Sequence, residues 1–195
     1  MVIFMVSNLH RIGVLALQGD FSEHIALLRS HNAAAIEVRS KGDLDACSAL
    51  IIPGGESTTM AILMQRTGLD ARIKKRVANG MPLYGTCAGA ILAARKVIGE
   101  KRFGPLGLID IEVGRNSYGR QVDSFEAGVD VNGIGVVNGI FIRAPTIKKT
   151  GKGVEVIGTL DGKPVLVRQG NVLAGTFHPE MGKDFFAHKI LLEMV

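Results

Sequence analysis

The sequence predicts an α/β fold: one domain in three αβα layers, built on a mostly parallel sheet with a β-rich antiparallel insertion. Three observations predict it. Apolar runs alternate with helical patterns from Arg11 to Arg95. From Gly104 to Gln169 the texture changes to short β-rich segments broken by glycines. Beyond that, one apolar run and one helical pattern return, Val172 to Phe177 and Lys183 to Met194. Such alternation is best buried with a layer of helices on each face of parallel strands. With 195 residues and no linker, repeat or low-complexity stretch, residues 1–195 are expected to form a single domain.

Each element follows from its residues. Arg11 to Gln18 is apolar almost without a break, as a strand buried on both faces is, and Gly19-Asp20 ends it. Ser22 and Glu23 open a helix whose Ile25, Leu27 and Leu28 face inward. Ala35 to Arg39 and Ala49 to Ile52 are the next strands, the latter closed by Pro53-Gly54-Gly55. Ser57 or Thr58 caps a helix to about Thr67, and a further helix runs from Asp70 to Asn79 before Gly80. Pro82 to Tyr84 ends a short strand, and Ala88 to Arg95 starts a helix. In the β-rich part the candidate strands are Ile109 to Arg115, Gln121 to Phe125, Gly139 to Ile142, Val154 to Leu160 and Pro164 to Arg168, several of them antiparallel.

Composition narrows the class. Hydrophobic residues make up 47% and charged residues 21%, a soluble globular balance. Cys47 and Cys87 are far apart and in no metal-ligand spacing, which fits a reducing cytoplasm and argues against a disulfide framework. No run approaches the length of a membrane span. Met1 to Val6 is apolar but lacks a basic n-region and a small-residue cleavage site, so it is expected to be a leader before the first strand rather than a signal peptide. The net charge of +5 is spread over small groups such as Arg72 to Arg76 and Lys148 to Lys152. With no Trp and only two Tyr to interleave with them, nucleic acid is not the expected partner; solvated helix faces or an acidic protein surface are.

The chain is organised around Gly85-Thr86-Cys87-Ala88-Gly89. This is a Gly-x-nucleophile-x-Gly elbow between a strand and a helix, a turn that exposes its central side chain. It puts Cys87 at a helix N-terminus, where free N–H groups and the dipole favour thiolate, and where the N–H of Ala88 can receive an oxyanion. Taken alone, the same residues fit a buried packing cysteine equally well.

Two further pieces raise the functional reading. His178-Pro179-Glu180 follows the strand Val172 to Phe177, at the carboxyl edge where functional residues of open α/β sheets gather. His178 can act as base and acid, with Glu180 holding its tautomer. Pro53-Gly54-Gly55-Glu56-Ser57 also lies at a strand's carboxyl end, and its glycines let backbone N–H groups approach a ligand as the second half of an oxyanion hole. A phosphate loop would need the lysine that is missing here. Each piece also has a plain reading, a surface loop for the first and a turn for the second.

In this order and spacing, the three pieces resemble the class I glutamine amidotransferases, over essentially the whole chain. The likeness extends to Leu17-Gln18-Gly19 with Glu23-His24, to Gly54 through Thr59, to Phe141 through Pro145 and above all to Arg115 through Glu126. Those segments are similar to the glutaminase subunits of pyridoxal 5′-phosphate synthases. The departures are the leader, Ala90 where a larger apolar residue is common, and almost no tail.

The resemblance implies a flavodoxin-like fold and conversion of glutamine and water to glutamate and ammonia. Its triad would be Cys87, His178 and Glu180, and its oxyanion donors Ala88 and the Gly54-Gly55 loop. Gly55, Glu56, Ser57, Arg115, Ile142 and Arg143 would bind glutamine, the arginines because a carboxylate favours a guanidinium. Ammonia would pass to a separate synthase (lyase) subunit in a large hetero-oligomer, with Gln18 and His24 near the contact. No cofactor and no metal are expected, and Cys47 is read as a packing residue. Competing readings are a cysteine peptidase or deglycase-like hydrolase, a non-catalytic binding module, and the glutaminase of a histidine or purine synthase. A peptidase usually sets His beside its nucleophile, a binding module needs no intact triad, and Arg115 through Glu126 speaks against another synthase.

Overall fold

The computed structural model describes residues 10–115, 124–182 and 184–195. The leader Met1 to Val6, residues 116–123 of the Arg115 to Glu126 segment, and Lys183 lie outside the described residues. Five parallel strands form one half of the main sheet: β1 (Arg11–Leu15), β2 (Ala34–Val38), β3 (Ala49–Ile52), β4 (Leu83–Thr86) and β12 (Val172–Gly175). Their spatial order is β2-β1-β3-β4-β12. Four strands of the β-rich part then continue the same sheet in antiparallel pairing, in the order β11 (Lys163–Gln169), β10 (Glu155–Leu160), β7 (Ser124–Val131) and β8 (Gly135–Ile142). The expected insertion is thus an extension of the sheet. The remaining strands, β5 (Ala94–Ile98), β6 (Ile109–Gly114) and β9 (Thr146–Thr150), form a second sheet.

The parallel strands are buried on both faces because their side chains alternate between two cores. In β3, Ala49 and Ile51 join the core beneath α1 (Phe21–Ser30) and α6 (Phe186–Leu192). Leu50 and Ile52 join the opposite core, under α3 (Ser57–Thr67), α4 (Leu69–Ala78) and the second sheet. This is the expected three-layer arrangement, with helices over both faces of the parallel strands.

Several local expectations are corrected. The helix after the elbow, α5 (Ala88–Ala93), ends two residues early because Ala94 to Ile98 pairs with β6 as a strand. Neither Ser57 nor Thr58 caps α3. Glu56 does, accepting hydrogen bonds from the N–H groups of Thr58 and Thr59 at 3.2 and 2.6 Å. A short helix, α2 (Lys41–Asp45), was not anticipated; Ser40 and Asp43 form its capping box. The last helix is confined to α6.

Candidate active site

Strand pairing builds the site. β4 and β12 are parallel neighbours, with Thr86 opposite Gly175. Cys87 therefore follows one strand's carboxyl end and His178 follows the next strand's. Backbone bonds fix both: the Cys87 N–H donates to the Gly175 carbonyl at 2.8 Å, and the His178 N–H donates to the Ile140 carbonyl of β8 at 2.7 Å. Cys87 stands at φ +47°, a left-handed conformation that non-glycine residues seldom adopt and that elbows hold under strain. Its flanking glycines serve close approach. A Cβ on Gly85 would lie 2.6 Å from the Gly89 carbonyl, and one on Gly89 would overlap the Ile52 carbonyl.

The His178 ring joins nucleophile to acid. Its Nδ1 lies 2.7 Å from Glu180 Oε1, leaving Nε2 for the Cys87 thiol. Burial works to lower its pKa, but hydrogen bonds and charge from Cys87 and Glu180 outweigh burial and raise it to about 10. Glu180 shifts up as well, because burial of its carboxyl outweighs the bond and charge of His178. At α5's six residues, the dipole behind Cys87 is weaker than a full helix would provide.

Cys87 and His178 open on a cavity of about 400 Å³. Gly55, Glu56, Ser57, Arg115, Ile142 and Arg143, the expected glutamine-binding residues, all line it, as does Gln18. Gly54 and Ala88, expected as oxyanion donors, are buried and are not among the residues lining it, and Glu180 sits behind His178. Gln18 Oε1 accepts a hydrogen bond from the Glu56 N–H at 2.7 Å, which ties the glycine loop to the end of β1. Cys47 is buried in the core against Gly13, and burial pushes its thiol up to about 11, as a packing cysteine requires.

One expectation fails. His24 does not present to a partner: its side chain is fully buried behind the triad, 2.8 Å from His188 Nε2 and 3.1 Å from Thr86 Oγ1. The resemblance of the Gln18 to His24 segment put it near the partner contact; in α1 its side chain points inward.

Sequence reasoning missed Asp20, Glu100 and Met181. Asp20 Oδ2 lies 3.7 Å from His178 Nδ1, and Met181 lines the cavity. Glu100, nearly buried, pairs with Arg115, which also lies 3.6 Å from Glu56 and stands over the Phe103 ring. Asp20 was within reach, since it lies inside the Gln18 to His24 segment. Glu100 carried no signal, because its partner is set by the turn after β5. Donor atoms of Asp20, His178 and Glu180 lie within 4.8 Å of one another. His178 Nδ1 is bonded to Glu180, while Asp20 stands beside the same ring at a distance too long for a hydrogen bond. Among the described residues, no helix is long and apolar enough to cross a membrane.

Comparison with known proteins agrees with this fold. A protein of Thermus thermophilus named pyridoxal 5′-phosphate synthase subunit PdxT is 50% identical over 184 residues, 94% of this chain and 96% of that protein. The protein of the same name from Methanothrix thermoacetophila is 49% identical over 95% of this chain and 100% of its own length. A crystal structure of a glutamine amidotransferase superposes with a TM-score of 0.90 at 48% identity, covering 94% of this chain and 97% of that one. PurLQS from Thermotoga maritima shares the fold, with a TM-score of 0.72 at 16% identity over 94% of this chain and 98% of that one. The family model for the SNO glutamine amidotransferases matches residues 14–195, and the chain belongs to that family.

Proposed function

We propose that this chain hydrolyses L-glutamine to L-glutamate and ammonia through a Cys87-His178-Glu180 triad, as the glutaminase subunit of a pyridoxal 5′-phosphate synthase. The observation that carries the reading is the His178 ring. Its Nδ1 is bonded to Glu180, which leaves Nε2 for the Cys87 thiol, at the mouth of a cavity flanked by Arg115 and Arg143. The relatives' name supports the assignment to pyridoxal 5′-phosphate synthesis.

The chemistry follows. The Cys87 thiolate attacks the side-chain amide carbon, and the carbonyl oxygen becomes an oxyanion. The N–H groups of Ala88 and the Gly54-Gly55 loop receive that charge. As the C–N bond breaks, imidazolium at His178 gives its proton to the leaving nitrogen, and ammonia departs from a glutamyl thioester. Water then attacks the thioester and yields its proton to His178. The C–S bond breaks, and glutamate leaves with the thiolate restored. Arg115 and Arg143 hold the substrate carboxylate, with Gly55, Glu56, Ser57 and Ile142 completing the pocket. Glu100 presets Arg115. Ammonia passes to the separate synthase subunit, in a hetero-oligomer. A cytoplasmic location belongs to this reading and is supported by two free cysteines. The test is glutamate release with the synthase subunit present, followed by product analysis. Release that survives in Cys87→Ala would overturn the reading.

A further inference from the structure

A chain of hydrogen-bonding groups lies behind the triad, and its members come from elements far apart in sequence. Glu180 uses Oε1 for His178, but its Oε2 is fully buried and has no hydrogen bond that meets ordinary geometry. A buried carboxylate oxygen in that position strongly favours a nearby donor. The group facing it is His24 of α1, whose Nε2 lies 3.4 Å from Glu180 Oε2 and 3.1 Å from Thr86 Oγ1 of β4. The other nitrogen of His24 lies 2.8 Å from His188 Nε2 of α6. His188 Nδ1 is buried and has no hydrogen-bond partner.

These contacts select one proton arrangement. With hydrogen on Nε2 of both rings, His188 donates to His24, and His24 donates toward Thr86 and Glu180. His188 Nδ1 is then a bare acceptor, which is tolerated more readily than an orphaned N–H. The opposite arrangement would aim a lone pair of His24 at a carboxylate and leave a buried N–H on His188 with no acceptor. Burial keeps both rings neutral: it lowers His24 well below the usual imidazole range, with charge on His188 and His178 adding to it, and lowers His188 to about 3, with His31 adding. In a neutral ring the tautomer is set by the hydrogen bonds its nitrogens make, and a relay of directed bonds needs it set.

Resting on the triad read above, we propose that His24 is a positioning residue of the active site: its Nε2–H steadies the outer oxygen of Glu180, and His188 holds His24 in the tautomer that does so. The 3.4 Å separation belongs to the free protein, where catalytic hydrogen bonds are often long and tighten only when charge develops. When His178 takes up its proton, Glu180 must hold full negative charge beside it. A donor on the far oxygen stabilises that charge and fixes the carboxylate's plane.

The test uses the chain with its synthase partner and glutamine as substrate. In His24→Met, which keeps bulk and removes the donor, kcat should fall about 10- to 100-fold with KM for glutamine unchanged, on the scale of other outer hydrogen-bond partners. The acid limb of the kcat/KM profile should move up by about one pH unit, because Glu180 without its donor holds a proton more tightly. The charged and titratable groups facing Glu180 from neighbouring elements are His178, Asp20, His24 and the buried Tyr84 of β4, with His188 behind. His24→Gln, whose amide can donate near the Nε2 position, should recover part of both effects. Equal losses in the Met and Gln variants would mark His24 as packing alone and overturn the proposal, as would an unshifted acid limb. A second measurement, of imidazole nitrogen shifts in the unmodified chain, needs no variant: Nε2–H tautomers at His24 and His188 are expected, and an Nδ1–H tautomer at His24 would overturn it. A Cys87→Ala control separates the two layers. Activity surviving there defeats the triad itself, whereas its loss beside an unaffected His24→Met defeats only the positioning role.

Discussion

Gly54 lies against the imidazole of His178 so closely that a Cβ on Gly54 would overlap Cε1 of the ring and come within 3.0 Å of Nδ1. The glycine loop and His178 are therefore packed as one unit. Gly54→Ala should displace the ring and lower kcat about 100-fold, the cost of a misplacement near 1 Å, with thermal stability little changed. Near-normal turnover in a folded Gly54→Ala chain would show that the ring has room to give.

Gly55 is constrained differently. It stands at φ +143°, where side chains are strained, and its Cβ would lie 2.5 Å from Gln18 Oε1 and 2.8 Å from the Gly19 Cα. Gly55→Val should misplace an oxyanion donor and lower turnover by about 100- to 1000-fold, more than it harms folding. Unchanged activity would remove this loop from the oxyanion hole.

What the sequence made legible was the parallel half of the sheet and the placing of Cys87 and His178 at its carboxyl edge. Apolar runs such as Ala49 to Ile52 have few alternatives to a buried strand. Gly85-Thr86-Cys87-Ala88-Gly89 and His178-Pro179-Glu180 carry local signals, the one of a strand-to-helix turn and the other of a His–carboxylate pair. What escaped was set by pairing across distance. Ala94 to Ile98 follows an alanine-rich helix and continues its composition, yet the edge of β6 draws it into a strand. His24 looks like one position on an amphipathic helix, and only the docking of α6 reveals His188 beside it.

The two cysteines should differ in reactivity. Cys87 borders the cavity beside a basic imidazole, whereas Cys47 is core-packed with its thiol pushed up to about 11. Limited treatment with iodoacetamide near neutral pH should add a single carbamidomethyl group, at Cys87, and abolish glutamine hydrolysis. Cys47→Ala should keep most activity. Preferential labelling of Cys47 would reverse the assignment.

Stability should fall as the solution is acidified below the imidazole range. His24 and His188 are buried neutral, with pKa values lowered from 6.5, that of His188 to about 3. Their contribution is complete above about 6.5 and is lost as pH falls toward the folded values, since the unfolded chain takes up two protons that the native one refuses. Each histidine adds a slope of about 1.4 kcal/mol per pH unit. Glu180, raised by burial, opposes this with at most one such slope. His178 is raised to about 10, so its contribution is already complete below the unfolded value and adds little change there. The carboxylates that are lowered, such as Glu100 at about 2, act only at more acid pH. Urea midpoints measured at about pH 6.5 and 5 should drop on the acid side. Equal midpoints would mean that one of these rings is charged in the native protein.

Control by the synthase partner is the last expectation, and it rests on the geometry of one peptide. The Gly54 carbonyl accepts a hydrogen bond from the Asp20 N–H at 3.1 Å, and Gly55 continues the turn at φ +143°. Two glycines in succession let the peptide between them adopt either of two orientations at little steric cost. In one it is held by Asp20; the other would break that bond and redirect the Gly55 N–H. Release of free ammonia into water serves no synthesis, so an orientation that is productive only in the complex has a chemical motive. A partner that binds the productive orientation preferentially shifts the population toward it. Gln18 is placed to report the contact, because it lines the cavity and holds the Glu56 N–H next to the loop, whereas His24 is buried and cannot touch a partner directly. Glutamate release from the chain alone should therefore be slow and should rise with saturating synthase subunit, by up to the roughly 100- to 1000-fold that one oxyanion donor is worth. Gln18→Ala should blunt the rise without loss of fold, and Cys87→Ala excludes a contaminating glutaminase. Equal rates with and without the partner would leave the triad standing and remove the gate.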